Sequence, residues 1–87
     1  MNREYEINLT SSARKEVRNL EKPLASRVAA AIDALITVPR PPGCRKLEGE
    51  DDSWRVRVGD YRIIYTIDDR AAAIWIIAVR HRSDAYR

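Results

Sequence analysis

Trp54-Arg55-Val56-Arg57-Val58-Gly59-Asp60-Tyr61-Arg62-Ile63-Ile64-Tyr65 reads as two strands joined by a tight turn. Residues of the first half alternate between apolar and cationic. Because a strand throws successive side chains to opposite faces, Trp54, Val56 and Val58 enter a core while Arg55 and Arg57 stand together on the other side. Gly59-Asp60 is a two-residue hairpin connection. A slightly longer turn at Asp68-Asp69-Arg70 leads into Ile74-Trp75-Ile76-Ile77-Ala78-Val79, which is apolar on both faces and so reads as a central strand. The chain is thus expected to carry three consecutive strands, at about 53–58, 61–67 and 72–80.

Working outward, residues 4–9 alternate with Tyr5, Ile7 and Leu9 on one face, a first strand. Thr10 or Ser11 caps a helix running to about Leu20, with Ala13, Val17 and Leu20 as its inner stripe. Pro23 suits the first turn of a second helix, whose apolar face is Leu24, Val28, Ala31, Ile32, Leu35 and Ile36. Pro39, Pro41, Pro42 and Gly43 end it and form a loop. The order is β-α-α-β-β-β, an α+β fold with a small, mainly antiparallel sheet and both helices on one face. Residues 1–87 are expected to form one domain.

Composition narrows the function classes. With 45% hydrophobic and 33% charged residues, the chain is an ordinary globule. A single cysteine, Cys44, forbids an intrachain disulfide and points to a reducing compartment. The charged start Met1-Asn2-Arg3-Glu4 is unlike a secretory signal, and no helical segment is long enough to span a bilayer, so the expected location is cytoplasmic with no membrane partner. One histidine and one cysteine are too few for a zinc site of ordinary ligand count. The glycines, Gly43, Gly49 and Gly59, form no phosphate-cradling loop. No metal and no small-molecule cofactor are therefore expected.

Charge distribution says more than the net value of +3. Acids gather in turns (Glu48, Glu50, Asp51, Asp52; Asp68, Asp69), while Arg55, Arg57, Arg62 and Arg80 lie in strands. The pI near 9.4 and the excess of arginine over lysine fit a polyanionic partner, since planar guanidiniums grip phosphate in bidentate fashion. Arg62 shares its face with Ile64 and Thr66. Strict alternation puts Arg80 at the end of a nearly buried row with Ile74, Ile76 and Ala78, where Glu48 or Asp84 could be its acidic mate. His81 is the one residue of the type that changes charge near neutrality. Tyr86 is either a packing aromatic or a platform for a splayed RNA base. Tyr5, Tyr61, Tyr65, Trp54 and Trp75 are assigned to the core.

Two segments carry a resemblance: Lys46-Leu47 with the hairpin quoted above, and Val79-Arg80-His81-Arg82-Ser83-Asp84-Ala85-Tyr86. Together with the element order they resemble the RelE/ParE superfamily of toxins from type II toxin–antitoxin systems, most closely its RelE branch. That resemblance implies a ribosome-dependent endoribonuclease that cuts A-site mRNA without a metal, by driving a 2′-hydroxyl at the adjacent phosphate. It implies a cognate antitoxin and the ribosome as partners. By the same resemblance, Arg55 and Arg57 match basic residues of proton transfer and charge stabilisation. Arg62 and Arg80 match phosphate-contacting arginines, and Tyr86 the aromatic that orients a base. Arg45, Lys46 and Arg82 are expected to bind RNA or ribosome. Well-known relatives carry lysines where this chain has Arg55 and Arg57. A guanidinium does not give up its proton, so the resemblance makes His81 the natural proton acceptor, since some relatives use a histidine, with a ribosomal group or water as the alternatives. The ParE branch, which poisons DNA gyrase by binding, is the rival reading, and a binding-only domain is a third.

Overall fold

A computed structural model describes residues 3–47 and 53–83. Its elements are β1 (Glu6–Leu9), α1 (Ser11–Arg18), α2 (Lys22–Ala34), β2 (Arg45–Lys46), β3 (Ser53–Val58), β4 (Tyr61–Asp68) and β5 (Ala73–His81). The five strands form one sheet in the order β1-β5-β4-β3-β2. β1 runs parallel to β5 and the other pairings are antiparallel. The expected α+β architecture is observed, with β2 as an added two-residue strand between the Pro-rich loop and β3.

Both helices cover one face. Ala13 of α1, Val28 and Ile32 of α2, and Leu35 just beyond it are buried against Val58, Ile63, Tyr65, Ile67, Ile74, Ile76 and Val79. The Thr10 hydroxyl caps α1 by accepting from Ala13 N–H at 3.1 Å, satisfying a donor the first helical turn leaves orphaned. Pro23 occupies the first turn of α2, where its missing N–H costs nothing. The β3–β4 turn is Gly59-Asp60, with Gly59 at φ +58°.

β5 lies between β1 and β4, as its apolar character implied, yet its inner alternation breaks. Tyr65 pairs with Ile76 while Ile64 pairs with Ala78, so Ile77 is an extra residue, a β-bulge that reverses which way later side chains point. Two expectations are corrected. Arg80 stands with Ala78 and Arg62 on the face away from the helices, not in a row with Ile74 and Ile76. Trp75 belongs to that open face too, opposite Thr66 and 46% exposed, rather than to the core. No helix among the described residues is long and apolar enough to cross a membrane.

Candidate functional site

The open face is built by register. Residues directly opposite on neighbouring strands share a face, so Arg57↔Arg62 and Arg62↔Arg80 form a row of three arginines across β3, β4 and β5, with strands roughly 4.8 Å apart. One step along, Arg45↔Arg55 and Arg55↔Ile64 begin a second row, about 6.8 Å from the first. The hairpin explains why. Apolar residues at Trp54, Val56, Val58, Tyr61 and Ile63 commit one face to the helices, and period-two geometry then commits Arg55, Arg57 and Arg62 to the other. Arg80 joins them because of the bulge at Ile77.

Arg45, Arg55, Arg57 and Arg62, with Gly43 at the rim, line a shallow depression of about 80 Å³. One water needs only about 10–15 Å³, so a small anion has room. Gly43 holds φ +89°, a conformation that L side chains rarely adopt, and this lets the Pro-rich loop turn back along β2. Like charges placed opposite one another repel, and the structure supplies some relief. The Arg57 Nε–H donates to the Gly59 carbonyl at 3.2 Å. The Arg80 Nε–H donates to Glu16 Oε2 at 3.1 Å, and Oε1 of the same carboxylate accepts from Val79 N–H at 2.9 Å. Arg80's acidic mate is thus Glu16 of α1. Of the two acids considered for that part, Glu48 and Asp84 lie outside the described residues.

The remaining candidates divide. Arg45 shares the open face. Lys46 sits opposite Trp54 and so turns to the helix side. His81 is opposite Tyr61, edge-on to its ring at 5.4 Å between centroids, and its Nδ1 meets the Ser83 hydroxyl at 2.9 Å. His81 therefore stands on the face away from Arg62 and Arg80, a placement that does not favour it as proton acceptor there. Arg82 is exposed and its backbone N–H donates to the Asp60 carbonyl at 2.7 Å. Tyr86 lies outside the described residues.

Sequence reasoning missed Glu16 and Arg27. The Arg27 guanidinium of α2 packs beside Gly59, 3.5 Å from where a Cβ there would sit. Neither position carries a local signal: Glu16 is an ordinary surface acid on a short helix until β5 is laid beside it.

Comparison with known proteins agrees with this fold. Residues 7–86 match the family described as ParE toxin of type II toxin–antitoxin system, parDE. The chain is 34% identical to Toxin RelG of Mycobacterium tuberculosis over 87 residues, covering 95% of this chain and 97% of that one. It superimposes on the toxin–antitoxin complex RelBE2 of the same organism with TM-score 0.81 at 27% identity, over 94% of this chain and 95% of that one. The archaeal RelE–RelB complex from Pyrococcus horikoshii gives TM-score 0.80 at 30% identity, over 90% and 94%. This chain belongs to the RelE/ParE superfamily, as a RelE-family toxin of a type II toxin–antitoxin system.

Proposed function

We propose that the toxin is an endoribonuclease that cleaves mRNA in the ribosomal A site, and that the open sheet face is its catalytic surface. The observation that carries this reading is the row Arg57–Arg62–Arg80: three permanent cations side by side on one face of three neighbouring strands, with Arg57 and Arg62 lining the depression. A 2′-hydroxyl attacks the neighbouring phosphorus, the bond to the 5′-oxygen breaks, that oxygen takes a proton from water or a ribosomal group and departs as a 5′-hydroxyl, and a 2′,3′-cyclic phosphate remains. Negative charge gathers on the non-bridging oxygens along the way. Preorganised donors aimed at such charge contribute about 10²–10³ in rate each, and the guanidiniums supply the compensating positive charge themselves, without a metal. In this reading Arg62 and Arg80 grip the scissile phosphate, and Arg55 and Arg57 neutralise the phosphorane. Arg45 and Arg82 track the flanking strand or ribosomal RNA, and Tyr86 orients a base. Lys46, on the other side of its strand, is left to ribosome contact. The ribosome supplies the alignment, and water or a ribosomal group takes the 2′ proton. The cognate antitoxin is a RelB-like protein, as in the complexes of the relatives.

The test is to map transcript ends after brief induction, in growing cells and in cells with translation blocked. In-frame cuts that vanish with the block support the reading, and Arg62→Ala or Arg80→Ala is expected to abolish both cuts and growth arrest while the protein stays folded and soluble. Wild-type arrest by either variant defeats the site assignment. The gyrase-binding alternative is kept because the matching family model is that of ParE. It predicts intact messages, altered plasmid supercoiling and DNA breaks.

A further inference from the structure

β1 ends at Leu9, paired with Ile76, so β5 runs on past its neighbour and its edge from Ile77 onward needs another partner. α1 takes that place. Thr10 N–H donates to the Ile76 carbonyl at 3.0 Å, and the Thr10 hydroxyl lies 3.2 Å from the Ile77 carbonyl, fixing the helix start against the bulge. Six residues further on, Glu16 reaches the same edge. One of its oxygens is anchored on the Val79 N–H and the other accepts from Arg80 Nε.

We propose that Glu16 is the positioning residue of the arginine row, acting through Arg80; this deepens the nuclease reading and rests on it. The pairing fits the task in three ways. It consumes the Nε–H of a guanidinium that carries five N–H donors, which commits Arg80 to grip an anion with its terminal Nη pair. The anchor for the carboxylate is a backbone group of the sheet, so the direction of Arg80 is set by the fold rather than by a free rotamer. Lastly, a negative charge beside the row offsets repulsion between Arg62 and Arg80, which stand directly opposite each other. A misplacement of about 1 Å in such a group can cost on the order of 100-fold in rate.

Glu16→Gln separates positioning from folding. An amide has one oxygen, which can keep the Val79 N–H bond, but its NH₂ cannot accept from Arg80 Nε. The experiment measures single-turnover cleavage of mRNA on programmed ribosomes for wild type, Glu16→Gln, Arg80→Lys and the double variant, with thermal unfolding of each. It also follows the Arg80 Nε–H resonance by ¹⁵N NMR. The expected result is a loss of about 10- to 100-fold for Glu16→Gln with an unfolding midpoint close to wild type. No further loss is expected when Arg80→Lys is already present, because the two act as one unit. The Nε–H signal is expected to exchange slowly with solvent in wild type and to become fast-exchanging in Glu16→Gln. Losses that multiply in the double variant, or an Nε–H signal indifferent to Glu16→Gln, overturn the proposal. Absence of cleavage by wild type overturns the nuclease reading instead, and the NMR comparison then still decides whether Glu16 holds Arg80.

Discussion

Arg80 and His81 are neighbours in sequence and stand on opposite faces of the sheet, Arg80 across from Arg62 and His81 across from Tyr61. The division matters for proton transfer, since a base must come within hydrogen-bond reach of the proton it takes. With its ring against Tyr61 and its Nδ1 at Ser83, His81 is held by packing at the strand end. A general base contributes about 10²–10⁴ in rate. His81→Ala is therefore expected to lower single-turnover cleavage by less than about tenfold and to leave the shape of the pH–rate profile unchanged. Loss of a titrating limb near neutrality in that variant would return His81 to the chemistry. At this scale the sequence made Arg55, Arg57 and Arg62 legible, because alternation against Trp54, Val56 and Val58 tells which way each points. It could not reveal Glu16, whose partners lie 63 and 64 positions away.

Two elements turn these residues into a site: the Gly59-Asp60 turn and the bulge at Ile77. The turn holds Arg57 opposite Arg62. Gly59 adopts φ +58°, the sign required at the first central position of a type II′ hairpin. The nearest atoms a Cβ at Gly59 would meet belong to the Arg27 guanidinium, at ordinary contact distance, so the cost of a side chain is conformational rather than steric. Gly59→Ala is expected to destabilise the protein by about 1–2 kcal/mol, read as a lower urea midpoint with an unchanged slope. An unchanged midpoint would mean that the turn has relaxed to another form. The turn was legible because glycine and aspartate interrupt an alternating run. The bulge was not, because Ile74-Trp75-Ile76-Ile77-Ala78 has no polar residue to mark parity, and strict alternation carried Arg80 to the wrong face; the same run, read as buried on both sides, put Trp75 in the core. Only the pairing with β4, whose own parity is marked by Arg62 and Thr66, reveals the shift.

Across the whole molecule, three distant segments are tied together at the end of β4. Asp69 accepts from the Tyr5 hydroxyl at 2.7 Å and from Arg40 Nη1 and Nη2 at 3.2 and 2.8 Å, while the Arg40 guanidinium lies 5.0 Å from the Trp54 ring centroid. The entry to β1, the Pro-rich loop and the β4–β5 turn are thereby clasped, and that loop carries Gly43 to the rim of the arginine depression. Arg40 first, and then the Tyr5 hydroxyl, hold the Asp69 carboxyl below its ordinary value of 3.8. A carboxylate lowered on folding contributes stability above its unfolded value and loses it as pH falls through the folded one. Burial, with Cys44 next, pushes the Tyr65 phenol well above its ordinary 10.0. Its share is complete below about pH 10 and is lost as pH rises beyond that. The unfolding midpoint is thus expected to be level through neutrality, to fall below about pH 4 as Asp69 protonates, and to fall again in strong alkali. Asp69→Asn tests the clasp: it should lower the midpoint at neutral pH, flatten the acid limb, and remove from the alkaline limb the part due to Tyr5, whose phenol Asp69 holds above its ordinary value, while Tyr65's part stays. An acid limb as steep as that of wild type would show that carboxylates other than Asp69 govern acid unfolding.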